Sequence, residues 1–307
     1  GLPKTMRKRH CGAGQQGNSN RMSTAYQDRY WNSADGLKLH FRDYPGRDDR
    51  PPVLCLHGLT RNARDFAGLA QHLAGDWRVI VPEVRGRGLS EYARDSSTYV
   101  PTTYVADLEI LLAQEGIGRF VSIATSMGGL MTMMMAASDA SRFAGVVLND
   151  IGPEVNPAGL ARIGGYVGQG RSYSTWMHAA RNLHEVQGAA FPDYDIEMWL
   201  EMARRTMVLG QNGRISFDYD MTIAEPFRDV TSAVPPDLWP AIDALAGVPL
   251  TLLRGELSDL LSEDTVAKMR ARHPGLQAVT IPRVGHAPTL DELQARAAID
   301  DLLARVG

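Results

Sequence analysis

Cysteines and long apolar runs are both scarce in this sequence of 307 residues. Two cysteines, Cys11 and Cys55, are too few for a disulfide framework, so the fold must rest on its apolar core. No apolar stretch reaches the roughly 18 residues that a membrane-spanning helix needs. The N-terminus also lacks the apolar centre of a secretory signal peptide. We therefore expect a cytoplasmic protein that does not associate with membranes.

Net positive charge is also lacking. The chain has 32 basic and 35 acidic residues, a formal charge of −3. Residues 1–21 hold five basic residues and no acidic ones, so the remainder has 27 basic against 35 acidic residues. A domain this acidic repels nucleic-acid phosphates, and we expect no nucleic-acid partner. We interpret residues 1–21, which are rich in Gly, Asn and Gln, as a disordered leader or an appended tail.

Buried strands alternate with helices from residue 52 onward. Apolar, β-branched runs at 52–56, 77–82, 120–123 and 145–148 are typical of strands buried on both faces, and the last ends at Asn149-Asp150. Segments with helical spacing separate them. The alternation predicts an α/β fold with a mostly parallel, twisted sheet and helices on both faces.

The alternation stops between residues 152 and 239. Amphipathic segments take the place of apolar strand runs there, which predicts an inserted helical cap. Strand patterns resume at 249–253 and 278–281, and a helix closes the chain at 292–306. We thus predict a core made of residues 22–151 and 240–307, with a cap over 152–239.

One serine lies at the predicted turn between a strand and a helix. Residues 124–128 read Ala-Thr-Ser-Met-Gly. The small residues Ala124 and Gly128 lie two positions before and after Ser126, where strand and helix must approach closely. The pattern is near the G-x-S-x-G of a nucleophile elbow, with Ala124 in place of the first glycine. A serine in this place is also common as a plain helix N-cap. An acid and a histidine after later strands would distinguish the two interpretations.

Both groups are present in the required order. A serine hydroxyl needs a base to accept its proton, and an imidazole base needs a carboxylate to fix its tautomer. In open α/β sheets such groups follow the carboxyl ends of strands. Glu256 and Asp259 follow the strand at 249–253, and His286 follows the last strand. These residues leave two candidates for the acid.

Five motifs together make the sequence resemble the α/β-hydrolase superfamily, in particular its cap-bearing serine esterases and lactonases. They are His57-Gly58, the loop at 83–90, the segment 126–129, Gly255 with Asp259, and Gly285-His286. The resemblance covers residues 26–307. It implies that Ser126 is the nucleophile, His286 the general base and acid, and Asp259, rather than Glu256, the partner of the histidine.

The resemblance also implies an oxyanion hole formed by the backbone N–H groups of Leu59 and Met127. His57 is expected to order the loop that carries Leu59. Glu83 departs from the family pattern, since many relatives have aspartate there, and the departure concerns a structural contact. Trp176, Trp199 and Trp239 are expected to line the substrate pocket, with packing inside the cap as the alternative.

The activity implied is hydrolysis of a carboxylic ester or lactone through an acyl-enzyme. The expected partner is a small-molecule ester or lactone, and the protein is expected to be a monomer or homodimer. Cleavage of a C–C bond in a ring-cleavage product and acyl transfer use the same triad and remain open. A non-catalytic small-molecule receptor is a third possibility, which turnover faster than ligand dissociation would distinguish from an enzyme.

Motifs for metals and dinucleotides are missing. The sequence has no HExxH, no CxxC and no histidine pair at helical ligand spacing beside a carboxylate. Gly86 and Gly88 do not continue into the G-x-G-x-x-G spacing of a dinucleotide site. We therefore expect neither a metal nor another cofactor.

Overall fold

Residues 25–232 and 236–306 are described by the computed structural model, and the predicted leader at 1–21 lies outside them. The strands within these residues are β1 (Gln27–Asn32), β2 (Lys38–Tyr44), β3 (Val53–Leu56), β4 (Val79–Pro82), β5 (Phe120–Thr125), β6 (Phe143–Asn149), β7 (Ser172–Tyr173), β8 (Met207–Leu209), β9 (Ile215–Phe217), β10 (Leu250–Gly255) and β11 (Gln277–Ile281). The α-helices are α1 (Ala67–Leu73), α2 (Pro101–Gln114), α3 (Met127–Asp139), α4 (Pro157–Gly164), α5 (Trp176–Gln187), α6 (Ile196–Thr206), α7 (Ala224–Ser232), α8 (Trp239–Ala244), α9 (Glu263–Arg272) and α10 (Leu293–Val306). None of these helices is long and apolar enough to cross a membrane.

Eight strands form one large sheet in the order β1-β2-β4-β3-β5-β6-β10-β11. The strand β2 pairs antiparallel with β1 and with β4, and every pair from β4 to β11 is parallel. The predicted α/β fold with a mostly parallel sheet is therefore confirmed. Because parallel strands all end at the same edge, the loops after β3, β5, β6, β10 and β11 converge there.

Apolar side chains cover both faces of this sheet. Along β3, Leu54 and Leu56 pack into the cluster that α2, α3 and α8 complete. Val53 and Cys55 pack into the opposite cluster, with α1 and α10. Burial on both faces explains why the central strands are continuous apolar runs rather than alternating ones.

The described residues between β6 and α8 form four α-helices, α4 to α7, and a second, three-stranded antiparallel sheet in the order β7-β9-β8. We call this segment, residues 152–239, the insertion. Its small sheet was not predicted, because strands of two or three residues are too short to show alternation. The helices α5 and α6 pack on each other around the buried Trp199. The division into core and cap at these bounds stays a prediction.

Candidate active site

Ser126 occupies the sharp turn between β5 and α3. Its backbone has φ 52° and ψ −115°, a conformation that side-chain-bearing residues rarely adopt. A Cβ on Gly128 would lie 2.2 Å from the carbonyl oxygen of Leu56, so a glycine is needed where α3 passes β3. The turn holds the Ser126 hydroxyl at the N-terminus of a 13-residue helix, as in a nucleophile elbow.

Three side chains form a continuous chain of hydrogen bonds at this turn. His286 Nε2 lies 2.9 Å from Ser126 Oγ, and His286 Nδ1 lies 2.8 Å from Asp150 Oδ2. Asp150 is fully buried and follows β6 directly, whereas His286 is in the loop after β11. In this geometry Nε2 can accept the serine proton while the carboxylate holds the N–H at Nδ1.

The structure corrects the predicted acid: the carboxylate on His286 belongs to Asp150, and the choice of Asp259 was wrong. Asp259 instead forms a two-point ion pair with Arg162 of α4, one contact of which, Nη2 to Oδ1, is 2.8 Å long. Glu256, the other candidate, accepts the backbone N–H of Arg283 at 2.7 Å. Both carboxylates after β10 therefore serve contacts away from the histidine.

The loop after β10 supplies donors to the acid instead of the acid itself. The backbone N–H of Gly255 donates to Asp150 Oδ1 at 2.8 Å, and the Ser258 hydroxyl donates to Oδ2 at 2.6 Å. A Cβ on Gly255 would lie 2.5 Å from the carbonyl oxygen of Gly285, so this glycine lets the β10 and histidine loops touch. One signal in the sequence pointed to Asp150, since it ends the predicted strand at 145–148, the strand next in sequence after that of Ser126.

The predicted oxyanion donors belong to the loop after β3, which carries Leu59, and to the first residue of α3, Met127. The carbonyl of Gly58, which shares a peptide unit with the N–H of Leu59, accepts from His57 Nδ1 at 2.8 Å and from the Arg61 N–H at 3.1 Å. In a trans peptide the C=O and N–H point in opposite directions, so these two bonds fix the direction of the Leu59 N–H. Met127 begins α3, where the first N–H groups have no partner inside the helix.

His57 is a buried, neutral positioning group. Its Nε2 accepts the backbone N–H of Val84 at 3.2 Å, which assigns the proton to Nδ1 and to the bond with Gly58. Burial lowers the pKa of His57 to about 4. The histidine thus links the loop after β3 to the loop after β4.

We expect His57 to make the protein less stable in acid. Since its pKa falls from about 6.5 in the unfolded chain to about 4 in the fold, its contribution is present above pH 6.5 and is lost as the pH falls towards 4. Urea unfolding at about pH 7 and about pH 4.5 should show wild type losing about 2 kcal/mol more than His57→Gln. An identical loss in the two proteins would contradict this assignment.

Glu83, which departs from the family pattern, is held as a structural carboxylate. It accepts from His40 Nδ1 at 2.8 Å, from the N–H of Ala63 at 2.9 Å and from the N–H of Leu89 at 2.7 Å. Burial raises the pKa of Glu83, but the bonds from His40 and the two amides outweigh it and leave the pKa below its usual value. Its role is to hold the loops after β3 and β4 together.

A cavity of about 870 Å³, counted with its open mouth, lies over Ser126. Its walls come from the loops of the core and from the insertion. They combine apolar and aromatic side chains with four threonines, one glutamine, one arginine and one aspartate: Leu59, Thr60, Arg61, Asp65, Phe66, Thr125, Ile163, Tyr166, Gln187, Thr206, Phe217, Tyr219, Pro288, Thr289 and Leu290.

None of the three predicted pocket tryptophans is among the residues that line this cavity. Trp199 is fully buried and packs against Phe191 and Tyr194 inside the insertion. Trp239 donates its indole N–H to Glu154 at 2.9 Å and packs against the core. The alternative, packing, therefore describes Trp199, and Tyr166, Phe217 and Tyr219 provide the aromatic walls that the tryptophans were expected to supply.

Residues 25–232 and 236–306 contain no group of three or more His, Cys, Asp and Glu side chains placed to hold a metal ion. The buried carboxylates near the site, Asp150 and Glu83, are each surrounded by N–H and O–H donors instead.

Comparison with known proteins identifies the family and several relatives of this chain. The family model described as "alpha/beta hydrolase fold" matches residues 51–293. The 3-hydroxybutyrate-oligomer hydrolase of Cupriavidus necator is 38% identical over 252 residues, which are 80% of this chain and 85% of that protein. An esterase of Mycobacterium tuberculosis is 26% identical over 257 residues, 81% of this chain and 80% of that one. The crystal structure of an α/β hydrolase from Novosphingobium aromaticivorans matches with a TM-score of 0.88 at 63% identity, over 91% of this chain and 98% of that one.

Proposed function

The chain belongs to the α/β-hydrolase family and is a hydrolase, and we propose that it cleaves carboxylic esters through an acyl-enzyme on Ser126. The observation that carries the proposal is the hydrogen-bond chain from Ser126 through His286 to Asp150, next to a cavity that can hold the substrate. Two relatives support an ester as the bond cleaved, because they are named an oligomer hydrolase of 3-hydroxybutyrate and an esterase.

The proposed mechanism has two halves. Ser126 Oγ attacks the ester carbonyl carbon while its proton passes to His286 Nε2, and the Asp150 carboxylate stabilises the resulting imidazolium. The N–H groups of Leu59 and Met127 hold the negative oxygen of the tetrahedral intermediate. The C–O bond breaks, and Nε2 gives its proton to the departing alcohol. Water then attacks the acyl-enzyme, with Nε2 as its base, and releases the acid.

We propose short linear esters of hydroxy acids as the substrate class. A chain of 3-hydroxybutyrate units alternates small apolar branches with ester oxygens. The cavity offers both kinds of surface, apolar at Ile163 and Leu290 and hydroxyl-bearing at Thr60 and Thr206. The relative from Cupriavidus necator supports this class at 38% identity.

A substrate panel tests the proposed function. The panel contains p-nitrophenyl butyrate, the linear dimer and trimer of 3-hydroxybutyrate, and N-acyl lactones, each assayed with wild type and with Ser126→Ala. We expect release of 3-hydroxybutyrate from the linear oligomers, with kcat/KM at least about tenfold above that for the lactones. Inert esters and lactones would contradict ester hydrolysis and would favour C–C hydrolysis, acyl transfer or a receptor.

A further inference from the structure

One arginine lines the same cavity as Ser126. Arg61 lies in the loop after β3, close to the oxyanion segment, and its side chain is 18% exposed. A Cβ built on Gly58 would lie 3.6 Å from Arg61 Cγ and 3.7 Å from Ser126 Cβ. The aliphatic part of the Arg61 side chain and the Ser126 side chain therefore both lie next to the Cα of Gly58, where no side chain separates them.

The guanidinium of Arg61 is only loosely paired. Among the described residues, it forms an ion pair with Asp65, in which Arg61 Nη1 lies 3.5 Å from Asp65 Oδ1. The other contact of Nη1 is the sulfur of Met202, a weak acceptor, at 3.1 Å. A well-formed pair between arginine and a carboxylate uses two parallel N–H donors at about 2.7–2.9 Å. The structure has such a pair between Arg85 and Asp107, with both contacts at 2.8 Å.

Two arginines of the insertion each have a close carboxylate partner. Arg162 is paired with Asp259, and Arg205 with Asp291. The hydrogen bonds that the described residues give Arg61 use Nη1 alone, so the donors at Nε and Nη2 are left for another acceptor. Aromatic walls at Phe66 and Tyr166 reduce the solvent around this cation, which strengthens its attraction for an anion.

We propose that Arg61 binds a carboxylate of the substrate, so that the site selects esters that carry a free acid group. The proposal rests on the proposed ester hydrolysis and adds the feature of the substrate that this site recognises. Asp65 holds one edge of the planar guanidinium, and the other edge presents two donors to the incoming carboxylate. The end unit of a linear hydroxy-acid oligomer has such a group. With its acid end held at Arg61, the oligomer places an ester near that end at Ser126, and units leave from one end of the chain.

The test compares two substrates with the same scissile ester. They are the linear dimer of 3-hydroxybutyrate as the free acid and the same dimer with its terminal acid converted to a primary amide. Wild type should prefer the acid by at least about tenfold in kcat/KM, mostly through KM. Arg61→Met should reduce this preference to near one, and Arg61→Lys should retain part of it because lysine supplies charge without the fork.

Arg204→Met is the matched control, because it removes one positive charge from an exposed position on α6 and should keep the preference. If Arg61→Met raised KM equally for acid and amide, the role of Arg61 would be limited to supporting α6 through its contact with Met202. That result would overturn the proposal. A wild type that hydrolyses both dimers equally well would overturn it too, while Ser126-dependent turnover would leave the proposed function standing. A wild type that hydrolyses neither dimer would overturn the carboxylate proposal and the hydroxy-acid substrate class, while Ser126-dependent turnover of p-nitrophenyl butyrate would leave ester hydrolysis standing.

An inhibition measurement needs no variant. Free 3-hydroxybutyrate should compete with p-nitrophenyl butyrate on wild type, and its amide should bind at least about tenfold more weakly. Equal inhibition by acid and amide would contradict a carboxylate site even if the Arg61 variants failed to fold.

Discussion

Ser126→Ala should lower kcat for p-nitrophenyl butyrate by about 10⁴- to 10⁶-fold, because it removes the hydroxyl that is hydrogen-bonded to His286 and that would form the acyl-enzyme. The residual rate would come from the oxyanion donors and from substrate binding. Alanine keeps the small Cβ that the turn at φ 52° already accommodates, so the thermal midpoint should stay close to that of wild type.

Two further readouts accompany that rate. A fluorophosphonate probe should add its mass to wild type and not to Ser126→Ala, because it reacts with an activated serine. Ser141→Ala, which changes an exposed serine at the other end of α3, is the matched control and should behave as wild type. A Ser126→Ala protein with more than about one hundredth of the wild-type rate would exclude Ser126 as the nucleophile.

Asp150→Asn and Asp259→Asn should differ by orders of magnitude. The first should lower kcat by about 10³- to 10⁴-fold, since an amide facing His286 Nδ1 favours the wrong tautomer and cannot stabilise the imidazolium. The second should change kcat by less than about threefold, because it weakens a partly exposed ion pair with Arg162. Steady-state kinetics of the two variants at one and the same pH measures the contrast.

The reverse result would restore the acid chosen from the sequence. If Asp259→Asn lost activity while Asp150→Asn kept it, the hydrogen bond from Asp150 to His286 would be structural. Loss in both variants with lowered thermal midpoints would point instead to damage of the β10 loop, because this loop contacts Asp150 through Gly255 and Ser258.

The sequence predicted those parts of the fold that depend on local pattern. β3, β4 and β6 are fully buried, so they appear as unbroken apolar runs between helices. Ser126 and His286 were found in the same way, because a nucleophile elbow and a glycine before a histidine are short motifs at the ends of strands. The structure brings these two residues together at 2.9 Å.

The acid could not be chosen from the sequence in the same way. Asp150 and Asp259 both follow strands that end at the same edge of the sheet, and β6 and β10 are neighbours. Which carboxylate reaches His286 depends on the path of the loop after β10, where Ser258 turns towards Asp150 and Asp259 towards α4. Such a path is set by packing against the insertion, which no local pattern encodes.

The prediction that three tryptophans line the pocket was wrong for a related reason. An aromatic residue in an amphipathic segment indicates a buried side chain, but it does not indicate whether that side chain packs against the protein or lines a ligand cavity. Trp199 is buried by α5 and Phe191, within the insertion, and not by a ligand cavity. The small sheet of the insertion was equally hidden, since β7 pairs with β9 from a distant part of the insertion and β8 and β9 are too short to show alternation.

Because the acid lies after β6, the loop after β10 does not have to supply both the carboxylate on His286 and the attachment of the insertion. Asp150 and Ser126 end adjacent strands whose register pairs Thr125 with Asn149, so their spacing is set by the β5–β6 ladder. The ion pair between Asp259 and Arg162 is left to attach the insertion. Provided that Ser258 is kept, substitutions at this attachment can change the shape of the entrance while the carboxylate on the histidine stays in place. Directed evolution towards bulkier substrates should therefore begin at Arg162 and Asp259, because substitutions there leave the contacts of the catalytic histidine unchanged.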